Sequence, residues 1–568
     1  MKLCAGAASP ARENRGEGRA SASLRRRARI APALVAALLS VGPARAQSSW
    51  SERWVYASEN NGDWRPTPTT TALGFHGTQA LAMVGPFVDE TALLSSFDSG
   101  AATPAWEFTD AATTLQHRVA GASDAPTFAT LHTELTNDPF GLRDARVRIL
   151  HAASPIPVRE WSFPFRTNGH ESLFVGVSRD GERVVAAAWD IFATQGSGGE
   201  TMVAVSQGAA PFSTSRIALP GGGGFSHASL SADGRRLFVA TGFAWGVVDT
   251  ASGALLQSAI LPFGYQLDDA AFSADGDGLV LWGARVVGTG LEGELLVLRR
   301  DPLLAAWTLR LTIRDPQTLR CAAADLSSDA TLLVAGFDFG TLDRVRVTAW
   351  DLDAGTTVAT QRFSHDVFSG NASLQEYVTD LDLAPDGGTI AVGLAGDGDG
   401  NPSPELLVFE AAGPLPVASF DLRGSVHSVE LVNGFLLVSN KSAHYGEFAG
   451  GGDLRLFGRA RDLDFRGIPH AGVLLAVEAR GALAGSFART LFSADLPAAP
   501  WSIGVLGTLY PDRTMLASQP IGDVSATGTG TGTFRAPLVP GAVRHAQGLF
   551  TGPRRRLTVD WLPVMALP

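Results

Sequence analysis

The chain has 568 residues, 45% of them hydrophobic and only 18% charged, which is too apolar for a disordered chain and long enough for a large core in more than one domain. Its 64 Gly and 32 Pro, with helix formers sparse outside the N-terminus, argue against helical bundles and for many short strands joined by tight turns. A net charge of −11 repels phosphate backbones and anionic lipid, so nucleic acid is not an expected partner.

Residues 1–46 read as a signal peptide. A basic stretch, Arg25, Arg26, Arg27 and Arg29, precedes the apolar run Ile30 to Val41, and Ala44-Arg45-Ala46 offers a small-x-small cleavage site before Gln47. The run is short for a bilayer span and no stop-transfer pattern follows it, so the expectation is export to a secreted, periplasmic or cell-surface location with no transmembrane anchor after cleavage. Ser23-Leu24-Arg25-Arg26-Arg27 resembles a twin-arginine signal, with Ala28 where that signal has an aromatic residue or Leu. Residues 1–46 hold nine Lys/Arg and two Glu, a net of +7, so cleavage would leave −18 on the mature chain. Of the two cysteines, Cys4 leaves with the signal and Cys321 stands alone, which rules out an intrachain disulfide and suits a small buried apolar residue.

The central feature is a recurring turn followed by an apolar strand. Ser178-Arg179-Asp180-Gly181 precedes Arg183-Val184-Val185-Ala186-Ala187, and the pattern returns at Ser231-Ala232-Asp233-Gly234, Ser273-Ala274-Asp275-Gly276, Ser327-Ser328-Asp329-Ala330 and Ala384-Pro385-Asp386-Gly387. The aspartates lie 53, 42, 54 and 57 residues apart, the spacing of a four-stranded propeller blade with variable loops. Asp supplies a side-chain bond to the backbone and Gly the positive φ of a tight hairpin, while the uninterrupted apolar strand suits a blade packed on both faces. A sixth copy, Ser428 to Val438, carries Asn433-Gly434 in the turn. Upstream, Ala92 to Gly100 and Val147 to His151 read as outer-strand pieces of degenerate blades, for a total of about seven.

A second strand and turn follow within several repeats, as in Val345 to Gly355 ahead of Thr357-Val358-Ala359 and Gly246 to Gly253 ahead of Leu255-Leu256. These segments resemble the second half of WD-like and related bacterial propeller repeats, a resemblance that covers roughly residues 170–440. It implies a β-propeller in general terms. The Gly-His dipeptide of true WD repeats is absent, so their His-centred hydrogen-bond network is not implied. The expected fold class is all-β, with a propeller over 47–458 and a small C-terminal β-sandwich-like domain over 461–568. Gly450-Gly451-Gly452 marks the boundary, and the later strands read as Gly472 to Val477, Trp501 to Leu509 and Leu557 to Trp561. That end resembles the β domains appended to many secreted bacterial proteins. The Thr-Gly alternation of 527–533 reads as an exposed loop.

Chemical motifs are few. Lys2 and Lys441 are the only lysines, and Lys441 lacks the Gly-rich run of a P-loop. No His-Glu-x-x-His helix, G-x-S-x-G elbow or Cys-x-x-Cys pair occurs. One acidic loop places oxygen ligands at alternate positions as a calcium loop does: Asp397, Asp399 and Asn401, with Glu405 following. Pro402 and Val408 stand where an EF-type loop has Gly and the bidentate Glu, so a solvated turn is the competing reading and no cofactor other than calcium is suggested. The histidines, His365, His427, His444 and His470 among them, are scattered, and Trp282 and Trp350 lie in blade strands where core packing accounts for them. The leading expectation is a non-enzymatic exported binding or scaffold protein whose loops, Pro220 to Phe225 included, engage a protein or surface ligand. The alternatives are a propeller hydrolase or lactonase with its site in the central channel, and a cell-surface structural or adhesion protein. Whether it is an enzyme stays open.

Overall fold

A computed structural model describes residues 50–459 apart from short segments, the longest being 59–70 and 365–376, together with the backbone of strands lying between 463 and 565. Residues 50–459 form a β-propeller of eight four-stranded antiparallel sheets. Blades 1 to 7 run in chain order over 71–109, 114–167, 173–217, 227–260, 265–315, 320–364 and 378–420. Blade 8 takes three strands from 425–459 and its outermost strand, Trp50–Ser58, from the other end of the chain. The innermost strands touch in sequence around a closed ring, blade 8 against blade 1 included.

The count is therefore eight and not about seven. Blades 1 and 2 lack an Asp-Gly turn and show in the sequence only as the two degenerate pieces, Ala92 to Gly100 and Val147 to His151. Leu93–Asp98 and Arg143–His151 are their third strands, one place in from the outer edge. Among the described residues no helix is long and apolar enough to cross a membrane.

Among the described residues the core of the propeller is not a single mass but eight clusters, one at each boundary between neighbouring blades. This follows from the second strands, which are buried on both faces: Arg183–Asp190, Gly278–Val287 and Leu332–Asp338 each carry a run of six or more buried residues. Between blades 4 and 5, Phe238 and Trp245 meet Leu279, Leu281 and Trp307. At the seam between blades 8 and 1, Trp54 of the N-terminal strand stacks on Phe97 with ring centroids 5.4 Å apart. Cys321 is free and fully buried between blades 5 and 6.

The turns between first and second strands behave as their sequence requires. In blades 3 to 6 the serine hydroxyl donates to the aspartate two residues on, at 2.5–2.7 Å, and accepts the backbone N–H five residues on. Gly181, Gly234 and Gly276 supply φ of 67–72°, whereas the blade 6 turn holds Ala330 at φ 54°. Asp386 and Asn433 of the remaining two turns lie outside the described residues.

Beyond the propeller, strands within 463–535 form a three-stranded sheet in the order Leu463–Arg466, Leu474–Ala479, Gly530–Arg535. A four-stranded sheet runs Ala517–Asp523, Phe487–Ser493, Val543–Thr551, Arg556–Met565, and Trp501–Ser502 pairs with Thr508–Leu509.

Candidate functional site: the channel wall and the loop face

The inner strands of blades 5 to 8 carry a concentration of acids that the sequence reading passed over. Asp325, Asp382 and Glu430 occupy equivalent places on three successive inner strands, each followed by Leu and just ahead of the turn. Each accepts a backbone N–H from the inner strand of the next blade: Asp325 from Leu383 at 3.0 Å, Asp382 from Leu431, and Glu430 from Leu73 of blade 1 at 2.6 Å. Asp380 does the same to Val429 at 2.9 Å. The carboxyls stitch one blade to the next and, through Glu430, close the ring.

Their surroundings favour the protonated form. Burial pushes Asp325 up to about 6, Asp380 to about 7 and Glu430 to about 8, each against the pull of the amides it accepts. Asp382 is raised well above the ordinary carboxyl range by burial and by the neighbouring Asp325. Asp325 and Asp382 lie close enough for the charge of one to disfavour ionisation of the other. On blade 5, burial raises Asp268, while Asp269 stands 3.6 Å from His227 of blade 4. Despite these acids, among the described residues no group of three His, Cys, Asp or Glu side chains is placed to hold a metal ion.

The opposite arrangement occurs on the face carrying the loops between second and third strands and between blades. Around blades 4 and 5, residues 217–226, 240–248, 259–267 and 286–291 contain no charged side chain. They meet one another: the Leu261 N–H donates to the Phe243 carbonyl and the Val286 N–H to that of Gly264, both at 2.8 Å, and Gly221 lies against Phe243. Phe243 and Ile260 are each 73% exposed and Phe263 is 100% exposed, with Val286, Val287 and Leu291 partly exposed beside them. Contiguous exposed apolar surface of this kind marks an interaction site more often than an accident of packing.

Most of the expected site residues are not among the described ones. Asp397, Asp399 and Asn401 of the acidic loop lie outside the described residues, as do His365, His444 and His470. Glu405 is buried, and its carboxylate accepts the Leu422 N–H at 2.6 Å. Within the expected ligand loop Phe225 is buried in the cluster between blades 3 and 4, so the exposed anchors belong to the neighbouring loops instead. His427 and Lys441 are buried in blade 8. Burial also holds the Cys321 thiol well above its usual range, in an unreactive form.

No protein-family model matches the chain, and no curated protein sequence does. Among solved structures, the β-propeller domain of Cps50 (Swd1) from Myceliophteria thermophila aligns with it at 11% identity and a TM-score of 0.37, over 60% of this chain and 96% of that one. The propeller assignment stands on the closed ring of eight sheets.

Proposed function

We propose that this protein is an exported binding scaffold that holds an uncharged, apolar segment of a partner protein on the loop face of blades 4 and 5. The observation that carries the reading is the charge-free patch around Phe243, Ile260 and Phe263. Its loops lose water without stranding a charge, so the surface that complements them is itself apolar and uncharged, and a charged segment would be desolvated with nothing to meet it. Export is supported by the basic, apolar and small-residue succession of 1–46.

The test places a photo-crosslinking amino acid at position 263 and, as a control, at position 233 on the opposite face, in the producing cells. The expected result is one protein crosslinked from 263 only, which after purification binds the wild-type chain and binds Phe243→Ser and Phe263→Ser at least tenfold more weakly. Crosslinking of the chain to a second copy of itself, to lipid, or to nothing overturns the reading. Export is tested separately by fractionation and N-terminal sequencing, with Gln47 expected as the first residue.

A further inference from the structure

A crevice of about 380 Å³ opens at the outer edge between blades 5 and 6, remote in sequence from the loop patch. Arg346, Thr348 and Trp350 point into it from alternate positions of one strand, spanning about 13 Å along the strand, and Ile313 and Asp315 of blade 5 face them with Gln317 of the segment that follows. The inner part of this boundary is packed with aliphatic and aromatic side chains like the others, with Ile313 and Trp350 against them, while the outer rim that forms the crevice is mostly polar.

Its charges are already matched. Asp315 pairs with Arg346, whose guanidinium also lies over the Phe337 and Phe339 rings at 5.1 and 5.5 Å, and Arg314 donates to Glu294 at 2.7 Å. The Gln317 N–H fixes the other oxygen of Asp315 at 3.0 Å. Thr348 is only 5% exposed, yet its hydroxyl has no hydrogen-bond partner, an arrangement that costs free energy unless something supplies one. Thr360 sits directly across the strand pair from it, and Thr357 beside Trp350. Trp350, held edge-on to Phe337 with centroids 6.1 Å apart, contributes an aromatic surface with a polar rim.

We propose that this crevice binds one or two uncharged sugar rings. An anion finds no unmatched cation here, and an apolar ligand would strand hydroxyls and amides. A ring of vicinal hydroxyls instead satisfies Thr348, Gln317 and the Arg346–Asp315 pair while its C–H face lies on Trp350. The volume falls at the small end of the ~300–1,000 Å³ typical of ligand pockets, suited to one or two rings. Trp350 thus serves as more than the core packing expected from its strand position.

The test is saturation-transfer difference NMR on residues 47–568 with methyl glycosides of the common neutral hexoses and pentoses, cellobiose and maltose, and with phosphate and acetate as competitors. The expected result is transfer to at least one sugar, undiminished by either anion, with affinity lowered about three- to tenfold in both Thr348→Val and Gln317→Ala. Gln317 is exposed, so its variant should melt with the wild type and keeps the comparison valid if Thr348→Val misfolds. No transfer to any sugar, transfer unchanged in Gln317→Ala, or binding of phosphate in place of sugars overturns the proposal.

Discussion

The two faces of the propeller solve the same problem in opposite ways. On the turn face, each Ser-x-Asp turn satisfies its own polar groups, and neighbouring turns are joined: the Arg179 N–H donates to Ala232 at 2.6 Å and the Asp124 N–H to Arg179 at 2.9 Å, while the Arg179 and Asp124 side chains pair at 2.6 Å. On the loop face of blades 4 and 5, loop-to-loop bonds and the Thr241 hydroxyl satisfy backbone groups, and the uncharged loops turn Phe243, Ile260 and Phe263 to water. A surface closed by its own hydrogen bonds is a structural one, while a surface that leaves Phe263 fully exposed is open to a partner.

Substitutions should separate the faces by size of effect. Ser231→Ala, at a fully buried turn hydroxyl, orphans the Arg236 N–H and removes the donor to Asp233; unfolding in urea should show a loss of about 2 kcal/mol, and an unchanged midpoint would mean the turns are decorative. The channel wall, between the two faces, should respond to pH. Its carboxyls have folded pKa values raised above their unfolded ones, so the folded state holds more protons than the unfolded state from about pH 4 upward, and stability falls as pH rises through the range in which Asp325, Asp380 and Glu430 titrate, from about 6 to about 8. A decline of roughly 1–3 kcal/mol between pH 4 and 8 is expected, allowing for water in the channel, and Glu430→Gln should flatten its upper part while keeping an acceptor for Leu73. A rise in stability over that range would show the carboxyls to be ionised.

Smaller effects follow at two further positions. Ala330 adopts the conformation that glycine fills in the sister turns, so Ala330→Gly should stabilise the chain by about 1 kcal/mol, read as a higher melting temperature. Phe243→Ser and Phe263→Ser, which remove exposed side chains, should alter stability by less than about 0.5 kcal/mol. A larger loss would place those rings in the fold and not at an interface.

Legibility tracks the range of the interactions. The blade 3 to 6 turns were plain because a Ser and an Asp, followed by Gly or in blade 6 by Ala330, complete their own hydrogen bonds within a few residues. Blades 1 and 2 use other turns, and the outermost strand of blade 8 comes from Trp50–Ser58, where Glu52 meets Arg455 403 residues away, so the closure of the eighth blade had no local signature although its inner hairpin did. The channel acids did leave a trace, an acid followed by Leu ahead of the turn at Asp325, Asp382 and Glu430. That trace reads as strand polarity until the next blade's amides are seen in place. Trp350 packs against the cluster between blades 5 and 6, as its strand position suggests, and only the tertiary structure shows that it also lines the polar crevice outside it.

The sequence by itself determined that this is an all-β chain of repeated blades, because turn chemistry and strand periodicity act over a few residues and need no partner from elsewhere. Only the tertiary structure decided how many blades close the ring, which carboxyls stitch it, and where the uncharged loops and the polar crevice assemble. Each of those joins groups from different blades, brought together when the inner strands complete their circle.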